Sequence, residues 1–229
     1  NLYENYLSSS LSQSMKDKIT NGREMAYISK FLMYLNDISD GLAYWTFGDC
    51  FEECGIPFTP FSGSFGLVAN GGIKKPTFYT FQFYKQLKGR CIHRSKDSIL
   101  TIDDAGHIHG LCWNNDLGYH NEDLILDFTL PADEQKSYCL LTKLVDEKTC
   151  NPQKTWVDLG APKTLSPEQN ELLLQAANPL IQSKQITPKD GMLSLSFVLK
   201  QHAILSFELF EVIKEGDRGF SYERVVQPF

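Results

Sequence analysis

Apolar residues in the first part of the chain change their spacing from one segment to the next. Between Asn21 and Asn36, Met25, Ile28, Leu32 and Leu35 recur every three or four positions, which puts them on one face of a helix. GLAYWTF (41–47) follows, a short apolar and aromatic run that predicts a buried strand. KKPTFYTFQFYKQLKG (74–89) carries two signals. Its alternation suits a strand, whereas Pro76 suits a first helical turn and Gly89 a helix stop. Helix, loop, strand, loop, helix is the tail of a β/α unit pattern.

From about Cys91 the pattern becomes all-β. SILTIDDAGHIHGLCWN holds two short strands around an Asp-Ala-Gly turn, a hairpin signal. DLILDFTL, YCLLTKLV, GMLSLSFVL and AILSFELFEV are further strands with partial period-2 alternation. One helix interrupts them. Ser166, Pro167 and Gln169 supply an N-cap, a first-turn proline and a capping-box partner; Glu171 to Ala177 continues the helix and Asn178-Pro179 stops it. The second half therefore predicts a β-sandwich with one inserted helix.

The composition narrows the function. With 229 residues, 42% of them hydrophobic, a packed core is easily built. A net charge of -6 argues against direct nucleic-acid contact, which needs clustered Lys and Arg. No run of 18 apolar residues exists, so no membrane contact is expected. No signal peptide begins the chain, but Asn1 is not an initiator Met, so the missing leader says little about the full-length protein. The six cysteines, Cys50, Cys54, Cys91, Cys112, Cys139 and Cys150, have irregular spacing. They read as free thiols in a reducing, cytoplasmic setting.

No cofactor or metal is expected. The Gly63, Gly66, Gly71 and Gly72 series has neither a dinucleotide nor a P-loop pattern. Cys50 and Cys54 lack a second pair, and His107 and His109 share a strand face without a third ligand. FSGSFG is not a nucleophile elbow.

The stretch Tyr44 to Leu67, YWTFGDCFEECGIPFTPFSGSFGL, crowds rings, glycines and the carboxylates Glu52 and Glu53 together. One explanation is an aromatic core followed by a solvated loop. The other is a sugar site: rings such as Trp45 stack on pyranose faces and a carboxylate holds hydroxyls. The loop after a barrel strand is where a β/α barrel carries its chemistry. Glu4 lies in LYENYL, a short apolar run that could end a strand.

This stretch resembles the eighth-strand region of glycoside hydrolase family 39, the β-xylosidase and α-L-iduronidase family. Its members typically show Tyr-Trp-Thr-Phe-Ser-Asp, two residues, Glu-Glu, and later Phe-His-Gly-Gly-Phe-Gly-Leu. The resemblance continues through GGIKKPTFYTFQFYKQL and resumes at TWVDLGAPKTLSPEQNELLLQAANP. It implies the C-terminal part of a TIM (β/α)8 barrel followed by a β-sandwich domain. Residues 1–88 would be the last two β/α units, with KKPTFYTFQFYKQL as the final barrel helix, and 89–229 the sandwich.

The resemblance also implies roles. Trp45 matches the glycone-stacking tryptophan and Glu52 a glutamate that binds sugar hydroxyls, so a xylose-type carbohydrate is the implied ligand. Glu4 matches the catalytic nucleophile. The family follows its nucleophile with Trp-Asn, whereas Asn5 and Tyr6 follow Glu4, and Gly48, Ser62 and Ser64 replace a family Ser, His and Gly. The general acid/base would lie upstream of Asn1. Retaining hydrolysis uses two carboxyls about 5 Å apart, so the chain by itself is expected to be inactive. The remaining barrel half would come from an upstream segment or another polypeptide. An alternative parent is an AraC-type helix-turn-helix transcription regulator that uses a non-catalytic module of this kind to sense a ligand.

Overall fold

The computed structural model describes residues 25–44, 46–49, 59–61, 66–115 and 122–213. Helix α1 spans Met25–Leu35 and buries Met25, Ala26, Ile28, Ser29 and Met33. The predicted stripe is therefore rotated: Met33 is 3% exposed, while Leu32 and Leu35 are only half-buried. The helix touches both a second helix and a sheet, so its buried arc follows two neighbours rather than one.

GLAYWTF departs from expectation. Among its described residues there is no strand ladder, and Leu42 and Phe47 are 39% and 68% exposed. Its end is tied by backbone hydrogen bonds. Thr46 and Phe47 carbonyls accept from the Leu67 and Val68 N–H groups at 3.1 and 2.9 Å, and Gly48 bridges Val68 in the parallel sense. A strand needs a backbone ladder along its length, and among the described residues this run pairs only at its end, with 67–68.

A tight hairpin follows, β1 (Val68–Ala69) with β2 (Ile73–Lys74), turning through Gly71 and Gly72 at φ +84° and +78°. It leads directly into α2 (Pro76–Gln86), with Lys75 extended at the N-cap and Pro76 in the first turn. Proline lacks the N–H that a first turn leaves unpaired anyway, and that settles 76–86 as helix.

The remainder is built on a six-stranded antiparallel sheet. Its strands are β3 (Arg90–Arg94), β4 (Ser98–Ile102), β5 (Ile108–Trp113), β7 (Tyr138–Val145), β8 (Leu180–Ile186) and β10 (Ile204–Glu211), in the order β3-β4-β5-β10-β7-β8. A two-stranded sheet, β6 (Leu124–Pro131) with β9 (Met192–Leu199), lies against one face. β9 alternates exposed and buried residues throughout, so Leu193, Leu195, Phe197 and Leu199 all face the core. There they meet Leu100, Cys112, Leu140, Leu205, Phe207 and Leu209. The opposite face presents Leu111, Trp113, Val145 and Ile204 to Met25, Ala26, Met33, Tyr79 and Phe83 of α1 and α2.

Among the described residues two helices interrupt the strands, not one. Besides α4 (Pro167–Ala176), the chain forms α3 (Pro152–Asp158), capped by the Asn151 side chain. At 7 residues α3 is too short to show a helical period in sequence. α4 has the predicted capping box in full: Ser166 Oγ accepts from Gln169 N–H, and Gln169 Oε1 accepts from Ser166 N–H. Around Leu173, α4 and α3 enclose Phe61, Ala69 and Ile73, packing against the β1–β2 hairpin. The Tyr79 hydroxyl joins α2 to this group by donating to Ala177 O at 2.7 Å.

Gly110 on β5 lies under the Phe207 ring. A Cβ there would sit 2.1 Å from Phe207 Cε1. Gly110→Ala is expected to lower stability by about 1–3 kcal/mol through overpacking, read from denaturant unfolding; an unchanged midpoint would contradict this packing.

Candidate functional site

The sequence-predicted residues Glu4, Trp45 and Glu52, and Glu53 beside it, lie outside the described residues. Residues that flank Trp45 and Glu52 in the sequence are described. This frame consists of Tyr44, Thr46–Asp49, Phe61 and Gly66–Val68. Tyr44 packs on Phe81 of α2 at a 5.0 Å centroid separation, and Phe61 packs on Trp156 of α3 at 5.6 Å.

At the centre of this frame is a fully buried ion pair. Lys75 Nζ donates to Asp49 Oδ1 at 2.7 Å, and both side chains are 0% exposed. The same oxygen accepts the Gly66 N–H at 2.8 Å. Asp49 Oδ2 is buried with no hydrogen-bond partner among the described residues. Burial pushes the Asp49 carboxyl above its ordinary value and the Lys75 ammonium below its own, while each charge holds the other back. The pair has no solvent-facing surface, so its chemistry is positional. Sequence inspection did not find it: the partners stand 26 positions apart, and each has an ordinary local context.

Gly66 is required here. A Cβ on it would lie 2.4 Å from both Asp49 N and Gly48 C. The backbones of 48–49 and 66 therefore touch, and only glycine permits that approach.

The second candidate cluster is the β4–β5 turn. The Asp103 carboxylate accepts from Ala105 and His107 N–H groups at 3.0 and 2.9 Å, and its other oxygen lies 3.0 Å from His109 Nε2. His107 Nδ1 is 3.5 Å from that oxygen. The two histidines thus share a carboxylate at a turn. Among the described residues no group of three or more His, Cys, Asp or Glu side chains could hold a metal. No helix among them is long and apolar enough to cross a membrane.

A groove of about 450 Å³ opens between α1, α2 and β3–β4, walled by Leu35, Leu42, Phe81, Leu87 and Ile99. Arg94 lines it, with its guanidinium on Asp37 at 2.7 Å and on Met33 O at 2.8 Å. None of residues 46–49 or 66–75 reaches it.

Comparison with known proteins assigns this frame to a family. The model of glycosyl hydrolases family 39 matches residues 2–194. A β-xylosidase of Geobacillus stearothermophilus is 32% identical over 191 residues, covering 83% of this chain and 38% of that protein. A β-xylosidase of Caldicellulosiruptor saccharolyticus is 32% identical over 166 residues, covering 67% and 33%. The crystal structure of a family 39 enzyme from Xanthomonas axonopodis pv. citri superposes with a TM-score of 0.73 at 26% identity, covering 85% of this chain and 42% of that one. A monomeric β-xylosidase from Caulobacter crescentus shares the fold, with a TM-score of 0.69 at 20% identity over 83% of this chain and 42% of that one. The chain thus spans less than half the length of these relatives. The likeness fits part of a TIM barrel followed by a sandwich.

The Asp103 cluster has a pH signature. The hydrogen bond from His109, first, and then the turn N–H groups hold the Asp103 carboxyl below its ordinary value of 3.8. A depressed folded-state value means stabilisation that is present above the unfolded value and lost as pH falls through the folded one. Wild type is therefore expected to lose more stability than Asp103→Asn between about pH 5 and about pH 2. Urea midpoints across that range check it; parallel curves for the two proteins would contradict it.

Proposed function

This chain belongs to glycosyl hydrolases family 39, and from that premise we propose that it is the C-terminal part of a β-xylosidase-like hydrolase acting on short β-linked xylosides. The observation that carries this is the 32% identity over 191 residues to a β-xylosidase. In this proposal residues 1–88 supply the last two β/α units and 89–229 the sandwich. Trp45 stacks on the glycone, Glu52 binds its hydroxyls, and Glu4 is the nucleophile. The acid/base glutamate comes from an upstream segment or a second polypeptide. Catalysis with retention needs both carboxyls, about 5 Å apart, so residues 1–229 alone are inactive. Leu42 and Phe47, exposed in the run before Asp49, support the need for a further barrel portion beside them. The irregular cysteine spacing supports a cytoplasmic setting.

The altered sequence after Glu4, Asn5-Tyr6 in place of Trp-Asn, favours a second reading. In it the module binds sugar without cutting it and serves an AraC-type regulator.

A full-length protein containing these residues separates the two. Hydrolysis of an aryl β-xyloside that falls to background in Glu4→Gln is expected under the first reading. Unchanged turnover in that variant would remove Glu4 from the mechanism. Sugar-dependent DNA binding without hydrolysis would place the chain in the second. Under either, Trp45→Ala is expected to weaken xylose binding about tenfold, equivalent to roughly 1.4 kcal/mol, in a calorimetric titration. Full affinity in that variant would rule out the stacking role.

A further inference from the structure

We propose that Asp49 and Lys75 are positioning residues for the sugar site, forming with Gly66 a clasp that fixes the two chain ends between which residues 50–65 run. The link to sugar rests on the function proposed above; the clasp itself rests on geometry alone. Asp49 immediately precedes residues 50–65 and Gly66 immediately follows them. One carboxylate oxygen of Asp49 takes the Gly66 N–H at 2.8 Å and Lys75 Nζ at 2.7 Å. The backbone doubles the fastening: Asp49 N–H donates to Val68 O at 3.0 Å, and Lys75 N–H donates to Leu67 O at 2.9 Å. The ends are so close that no side chain fits at position 66.

Lys75 refers this junction to the rigid part of the molecule. It is the N-cap residue of α2, whose Tyr79 and Phe83 are buried against the six-stranded sheet. Position is thus passed from sheet to helix start, from helix start to carboxylate, and from carboxylate to both ends of the segment that contains Glu52. Phe61, within that segment, is held independently by Trp156.

The choice of chemistry also favours positioning over stability. A buried ion pair adds little net stability over an apolar pair of similar volume, because desolvating two charges offsets their attraction. What it does provide is direction. A carboxylate oxygen with two donors on it specifies where both must lie, and an apolar contact does not.

The test uses the full-length protein and two double variants that both remove the buried charges. Asp49→Asn/Lys75→Met keeps an acceptor for Gly66 N–H; Asp49→Leu/Lys75→Met does not. Limited proteolysis well below Tm, with cuts mapped by mass, reads the rate of cleavage within residues 50–65. The Asn/Met protein is expected to be cut there within about twofold of wild type, and the Leu/Met protein at least about tenfold faster at a comparable Tm. The Kd for D-xylose is expected to rise about tenfold in Leu/Met only. Equal cleavage of the two double variants overturns the clasp. Wild-type protein that binds no xylose overturns the proposed function instead, and the cleavage ratio still decides the clasp. Should Leu/Met fail to fold, Gly66→Ala separates the ends while leaving both ion partners in place, and it is judged by the same cleavage criterion.

Discussion

Strands β5 and β10 carry large apolar side chains on both faces, so their sheet has to be covered twice. Cys112, Leu205 and Phe207 face one way and are closed by Leu195, Phe197 and Leu199 from β9. Leu111, Trp113 and Ile204 face the other way and are closed by α1 and α2. Neither cover is optional, since water on either side would meet a continuous apolar surface. The rest of the architecture follows from this requirement. β6 and β9 need only one apolar face, and they alternate accordingly. α2 has to lie on the sheet, which fixes the position of Lys75 at its start and of everything Lys75 holds.

The same requirement explains which elements could be read from the chain. β4, β5, β7, β9 and β10 announce themselves because each places apolar residues against something. β8, LIQSKQI, is an edge strand paired on one side only and exposed along nearly all its length, so its residues carry no burial pattern. β3, RCIHR, is exposed throughout for the same reason. GLAYWTF shows the converse. Its apolar content is real, yet Leu42 and Phe47 are left partly uncovered by the described residues, because composition records that a segment is suited to burial without recording what covers it. The shift from Leu32 to Met33 on α1 is a smaller case: periodicity finds a face, but the direction of a second neighbour rotates it.

The candidate site divides along similar lines. Trp45 and Glu52 stand out as a ring and a carboxylate in one short stretch, and the sugar roles proposed for them come from the resemblance to family 39. The residues that hold the frame do not stand out. Asp49 looks like one more acid in an acidic stretch, and Lys75 like one of two lysines before a proline. Their significance exists only across space, in an ion pair with no exposed surface and in a glycine pressed against two backbones. Long-range polar pairs leave no periodicity behind, so a single sequence does not display them.

Contacts across residues 88 and 89 bear on how such a chain could have been inherited. Arg94 of β3 reaches back to Asp37 and to the last turn of α1, and the Tyr79 hydroxyl of α2 donates to Ala177 O. Trp113 and Ile204 are buried in one cluster with Met25, Ala26 and Met33 of α1 and Tyr79 and Phe83 of α2. A recombination event that joined residues 89–229 to a different preceding segment would inherit a sheet with one face bare. The smallest piece of this molecule that evolution can move with both faces of the sheet covered therefore includes the two helices before the strands.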